Sequence, residues 1–291
     1  MTTPPASGLR HPTRPAPGRL GTVRLLPVMG TVVTLDLRNR LPEPDLQRAL
    51  AAASDVLHTA ERLFSTYRPD SWVSRLRRGE VTRSACPSQL AEVLAMCAQA
   101  EAITDGYFTA RWRGDGTVDP TGLVKGWAAG QASRVLLEHG VTDHCVNAAG
   151  DLALAGQPEP GRWWRIGIAD PRTPGGLLGA VDSGRHPGQA TLSRPAVATS
   201  GTTERGQHII DPRDGRAANG LLAVTVAGPD PAIADGCATG LLAAGPAAED
   251  LLPRLARHGF AGCLLTADRR VIDPTGLLSR LPEPPPAKCA A

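Results

Sequence analysis

Residues 142–169, TDHCVNAAGDLALAGQPEPGRWWRIGIA, decide the fold class. Three short apolar runs, near 142–147, 151–155 and 163–169, follow one another with only turn residues between them. No segment long enough for a crossover helix separates them, which argues for a mostly antiparallel sheet and against alternating βαβ units. Working outward, strands are predicted at 190–198, 207–210 and 221–227, and two more at 262–267 and 270–273. The Gly/Pro-rich stretch 171–195 reads as a long surface excursion of hairpin character. Upstream lie strands at 22–28 and 31–37, the second with Thr31, Val33 and Leu35 alternating against Val32 and Thr34. Helices are predicted at 44–67, 87–104 and 122–139. In the first, Leu46, Leu50, Ala53, Leu57, Ala60 and Phe64 share one face. Gly140 stands where a left-handed cap would close the third. Asp230-Pro231 supplies a cap and first turn for a helix ending at Gly245-Pro246, and a last helix ends near Gly259. Helices gathered early and strands consecutive in the middle make an α+β fold, with a mostly antiparallel sheet core and packed helices.

Composition narrows the function classes. The chain has 291 residues, 42% of them hydrophobic, which is enough for a packed core. No internal repeat or long linker divides it, so one domain over 21–280 is expected, between disordered Pro-rich tails at 1–20 and 281–291. With 31 basic and 28 acidic residues and only 3% aromatics, neither the charge nor the stacking surface of a nucleic-acid binder is present. No run of about 18 apolar residues suggests a transmembrane helix. Cys86, Cys97, Cys145, Cys237, Cys263 and Cys289 never approach CxxC spacing, against zinc ribbons and thioredoxin-type pairs. The first twenty residues lack the apolar core of a signal peptide and a cysteine for lipid attachment, so a cytoplasmic location is the expectation. GxGxxG after a strand and the P-loop pattern are both absent, which disfavours Rossmann and Walker enzymes.

Three constellations could carry chemistry. In Asp119-Pro-Thr-Gly122-Leu-Val-Lys125-Gly126 a loop feeds a helix whose first N–H groups, together with Lys125, favour an anion. A lysine early in a helix is equally read as a solvated side chain. In His208-Ile-Ile-Asp211-Pro-Arg-Asp-Gly215, a histidine precedes a strand–turn motif with acidic neighbours. A structural histidine fits that pattern too. Asp235 and Thr239 stand one helical turn apart in an apolar segment with no Lys or Arg at helical spacing. A buried carboxylate there needs a partner, which magnesium would supply; the alternative is an aspartate turned to solvent near the helix start. The polar turn Ala198-Thr199-Ser200-Gly201 lacks the nucleophile elbow of a serine hydrolase. Tyr67, one of two tyrosines, offers a ring face to a planar ligand or simply closes a core helix.

The order of these pieces is more specific than any one of them. Met29-Gly-Thr, Ser65-Thr-Tyr67 with Ser71, Gly106-Tyr-Phe108, Asp119 with Gly122 and Lys125-Gly126, Val146-Asn147-Ala-Ala-Gly150-Asp151, Ala198-Thr-Ser-Gly201, His208-Ile-Ile-Asp-Pro, and Ala234-Asp235 with Thr239 follow in turn. From about residue 22 to 275 the chain resembles the ApbE-type FAD:protein FMN transferases. That resemblance implies a single T-fold-like domain and a Mg²⁺-dependent enzyme with FAD as substrate. The reaction places FMN on a Thr or Ser hydroxyl of an acceptor flavoprotein subunit and releases AMP. By the same resemblance Met29, Tyr67, Tyr107, Phe108, Thr109, Asp119, Lys125 and Ile209 line FAD. Gly122 (through its carbonyl), Asp235 and Thr239 hold the metal, and His208 is the base, so that His208, Lys125 and Asp235 carry the catalysis. FAD pyrophosphatase activity and non-catalytic flavin binding are the rival readings. Two departures stand out: Thr109 where the family usually has Asp, and Ala149-Gly150 where it usually has two glycines.

Overall fold

Alternation along the strands sorts their side chains onto two faces. In the third strand Val146 and Ala148 point one way and Cys145 the other; in the fourth, Ala153 opposes Leu152 and Leu154. Both faces are apolar, so the sheet has to be covered on both sides. The computed structural model describes residues 21–184, 195–202 and 209–279. Eight antiparallel strands form the main sheet in the order β1-β2-β3-β4-β7-β8-β9-β10. They are β1 (Thr22–Val28), β2 (Thr31–Leu37), β3 (His144–Ala148), β4 (Asp151–Ala155), β7 (Ala196–Gly201), β8 (Leu221–Gly228), β9 (Ala261–Thr266) and β10 (Val271–Ile272). A smaller sheet, β11-β6-β5, covers one face with β5 (Arg165–Ala169), β6 (Leu177–Asp182) and β11 (Leu278–Ser279). Its Trp164, Ile168, Val181 and Leu277 pack on Cys145, Leu152, Leu154 and Val197.

Helices cover the other face: α1 (Glu43–Phe64), α2 (Trp72–Arg77), α3 (Ser88–Ile103), α4 (Thr121–Glu138), α5 (Pro231–Ala244) and α6 (Ala248–Arg257). The periodic face of α1 buries Leu50, Ala53, Leu57, Ala60 and Phe64, as its spacing requires. Helix α5 is buried nearly all round and lies against the centre of the sheet. Asp230 caps it, accepting the N–H groups of Ala232 and Ile233 at 2.9 and 3.1 Å. Among the described residues no helix is long and apolar enough to cross a membrane.

The α+β expectation holds, with differences in detail. The strand expected at 207–210 is not formed where the chain is described: Ile210 makes an isolated bridge to Ala217 only. Pro212 has no N–H to give, and the segment closes on itself, Asp211 N donating to Arg216 O and Gly215 N to Asp211 O. The excursion 171–195 contains β6, hidden in the sequence by the glycines around it. Helix α2 is six residues long, too short for periodicity to reveal. Its signal is local: the Ser71 hydroxyl accepts the Ser74 N–H at 3.1 Å.

Candidate functional site

The site begins where α4 and α5 cross. Three glycines, Gly122, Gly126 and Gly130, recur every fourth residue on the face of α4 that meets α5. A β-carbon on Gly126 would lie 2.1 Å from the Pro231 carbonyl oxygen and 2.8 Å from the Asp235 β-carbon, so no side chain fits. That close approach lets the Gly126 N–H donate to Asp235 Oδ2 at 2.9 Å. One turn earlier, the Thr239 hydroxyl donates to the Gly122 carbonyl at 3.2 Å. Ser200, at the end of β7, brings its hydroxyl to 3.3 Å from that of Thr239.

Asp235 is buried, and desolvation raises its carboxyl above the usual carboxylate range. The nearby Asp151 carboxylate pushes the same way, while Lys125 and the Gly126 N–H pull it back. Lys125 itself forms an ion pair with Asp151, which is buried at the start of β4. Helical spacing surveys only α5; the positive charge that acts on Asp235 comes from α4, where Lys125 pairs with Asp151. Among the described residues, no three His, Cys, Asp or Glu side chains cluster as a metal cage. The oxygen atoms gathered here are mixed: carboxylate, hydroxyl and backbone carbonyl.

The other expected residues are spread more widely. Asp119 is buried just before α4, its Oδ1 accepting from Thr121 N and Oγ1 at 3.2 and 2.6 Å. Its Oδ2 receives Arg113 Nε at 3.1 Å, with Arg77 at 3.9 Å. Phe108 is a core side chain: its ring lies where β-carbons on Gly122 and Gly236 would stand 3.2 and 3.6 Å away. Tyr107 is half-buried, with the Arg213 guanidinium 4.4 Å over its ring. Ile209 packs on the same apolar cluster as Tyr107, and Thr109 accepts from Arg111 N at 3.2 Å. Tyr67 is 95% exposed on the loop after α1. That loop is pinned beneath it, where Ser71 and Ser74 donate their hydroxyls to the Ser65 carbonyl at 2.5 and 3.2 Å. Met29 sits in the β1–β2 turn at φ 56°, its N–H donating to Glu61 Oε1 at 2.9 Å. His208 lies outside the described residues.

Thus Gly122, Lys125, Asp235 and Thr239 come together, with Asp119 at the entrance to the same helix. No hydrogen bond or ion pair among the described residues ties Met29 or Tyr67 to that group. Asp151 and Ser200 stand within the motifs quoted above but carry no assigned role there. Asp151 has a visible signal, an acid opening the apolar run Asp151-Leu-Ala-Leu-Ala; the place of Ser200 at the site emerges only from the β7–α5 contact.

Residues 29–114 and 109–261 match the model of the ApbE family. A protein of Rhodobacter capsulatus named FAD:protein FMN transferase is 35% identical over 147 residues, 48% of this chain and 26% of that protein. The protein of that name from Vibrio cholerae is 33% identical over 137 residues, 44% of this chain and 39% of its own length. The Escherichia coli K12 protein is 28% identical over 160 residues, 52% and 43% respectively. The matched stretches thus span less than half of these relatives. The solved structure of flavin transferase ApbE from Vibrio cholerae superposes with a TM-score of 0.68 at 22% identity, covering 87% of this chain and 96% of that one. The ApbE protein of Thermotoga maritima gives 0.71 at 20% identity, with 87% and 96% coverage.

Proposed function

The chain belongs to the ApbE family, and from that premise we propose that it transfers FMN from FAD to a threonine or serine hydroxyl of an acceptor flavoprotein. The names of its relatives support the reaction class. The observation that carries the reading is the oxygen set at the α4–α5 crossing, where the Gly122 carbonyl and Thr239 hydroxyl meet at 3.2 Å beside buried Asp235. Hard oxygens of this mixture fit magnesium, which Gly122, Asp235 and Thr239 would hold. Bound there, the metal would offset charge on the diphosphate.

The chain's own groups do the rest. Lys125, steadied by Asp151, adds a positive charge beside the diphosphate. His208 takes the proton from the acceptor hydroxyl, whose oxygen attacks the phosphorus on the FMN side. A phosphoester bond forms as the bond to the adenylate phosphate breaks, and its electron pair leaves with AMP. General-base help of this kind is worth about 10²–10⁴-fold.

The test is incubation with FAD, Mg²⁺ and a flavoprotein carrying a candidate Thr or Ser site, followed by mass spectrometry. FMN attached to the acceptor, with AMP released in equal amount, is the expected result. Free FMN and AMP with no adduct would make the protein a pyrophosphatase. FAD that stays intact for hours would leave only flavin binding.

A further inference from the structure

Positive charge is not spread evenly over this chain. Residues 68–83 and 111–115 carry seven arginines against three carboxylates, while all 291 residues together have a net charge of +3. The fold brings the two stretches onto one surface, where Arg77 and Arg113 meet the same oxygen of Asp119 at 3.9 and 3.1 Å. With buried Asp119 counted as a fourth carboxylate, three positive charges are left over, as many as the whole chain has in excess. The exposed acids are already engaged. Asp70 pairs with Arg68 at 2.8 Å and Glu80 with Arg78 at 2.6 Å. Asp115 is turned into its own loop, accepting Thr117 N and Oγ1 at 2.9 and 2.6 Å. Arg83 and Arg111 are exposed, and their side chains make no hydrogen bond or ion pair among the described residues.

This surface is held in shape before any partner arrives. Arg75 lies 4.8 Å over the Trp72 ring and Arg113 lies 4.7 Å over that of Trp112. Arg78 donates to the Pro69 carbonyl at 2.6 Å, tying the end of α2 to the loop before it. Stacked, preset guanidiniums lose little freedom on docking, and arginine and tryptophan are the side chains that dominate protein interfaces. Its place matters as much. Asp119, which receives two of the guanidiniums, also accepts the Thr121 N–H at the head of α4, next to the Gly122–Thr239 contact. A protein that brings a hydroxyl to that contact has this surface at its flank.

We propose that residues 68–83 and 111–115 form the docking surface for the acceptor protein, which meets it with an acidic face. This rests on the transfer reaction above and names the part of the chain that selects the acceptor. An excess of arginine is matched by carboxylates, and such complementarity acts on encounter and specificity more than on the chemical step.

The experiment measures FMN transfer at saturating FAD and varied acceptor for wild type, Arg83→Glu, Arg111→Glu and the double variant. Arg83→Ala and Arg111→Ala are run beside them. Each reversal should raise the KM for the acceptor by about 3–10-fold and each alanine by less, with kcat and FAD affinity within about twofold of wild type. Salt should raise the wild-type KM and narrow its gap to the variants. Poly-L-glutamate should compete with the acceptor on wild type and far less on the double variant. An unchanged acceptor KM overturns the proposal. So does an equal effect of alanine and glutamate, or a loss of FAD affinity, since either marks a structural role. Reversals that abolish self-association or nucleic-acid binding of the wild type, with the acceptor KM unmoved, overturn it in favour of those partners. If wild type transfers no FMN to the flavoprotein, the transfer reading and the docking surface fall together. If wild type transfers FMN and every variant matches it, only the docking surface falls.

Discussion

The Gly126 backbone N–H and the Asp235 carboxylate meet at 2.9 Å although 109 residues separate them in the chain. The missing side chain at Gly126 makes the contact possible, because it lets α4 and α5 touch at backbone distance. Packing and chemistry therefore depend on one position, and the consequences can be measured separately.

Gly126→Ala should be severely destabilising. Its new methyl would have to occupy the space of the Pro231 carbonyl, 2.1 Å away, and backbone there cannot give way as a side chain can. A loss of about 3 kcal/mol or more is expected from overpacking of this severity. Gly122→Ala meets only side-chain atoms at 3.2–3.7 Å and should cost far less. Urea midpoints for the two variants check the contrast; equal midpoints would contradict it.

Asp235→Asn should abolish FAD cleavage at millimolar Mg²⁺ while FAD binding weakens less than turnover. The amide keeps the shape and removes the charge that a divalent cation needs. Adding a chelator to wild type should reproduce the loss. Normal cleavage by Asp235→Asn, with an unchanged metal requirement, would remove the carboxylate from the ligand set.

His144 makes stability depend on pH. It is fully buried on β3, its Nδ1–H donating to Val141 O at 2.9 Å, so Nε2 accepts the Ser133 hydroxyl at 2.7 Å. Burial lowers its pKa from 6.5 to about 4. The unfolded chain therefore binds the extra proton first, and stability present above pH 6.5 is lost as pH falls towards 4. The size is roughly 3 kcal/mol. In urea titrations the advantage of wild type over His144→Gln should shrink across that window. A constant difference from pH 7 to 4 would contradict it.

Ala149→Gly should stabilise the protein. Ala149 and Gly150 form the two-residue β3–β4 turn with φ of 57° and 98°, positive at both positions as a type I′ turn requires. An alanine pays a steric penalty there that glycine avoids, and after allowing for glycine's freer unfolded chain the gain is about 0.5–1 kcal/mol. A thermal midpoint that fails to rise would show the strain is absent.

Much of this was legible locally. Alternation through β1 and β2, the 3.6-residue face of α1 and the Asp230-Pro231 start of α5 each follow from short-range physics: side-chain periodicity, capping and restricted φ. So did the likeness of spacing between Asp235 and Thr239, which a helix places on one face whatever surrounds it. What the neighbours of that face would be was not legible. Lys125 reaches the Asp235 environment from another helix, Asp151 from β4 and Ser200 from β7; each contact joins residues distant in the chain. Of the strand expected at 207–210, the described residues form only the isolated bridge at Ile210, beside a turn that closes on its own backbone from Asp211 to Arg216. Sequence by itself determined most of the elements, though not α2 or β6, the mostly antiparallel character of the sheet and which residue types could do chemistry, because those depend on neighbours within a few residues. Only the tertiary structure decided which of them meet, because the α4–α5 distance is set by glycines whose effect is to be absent from the contact.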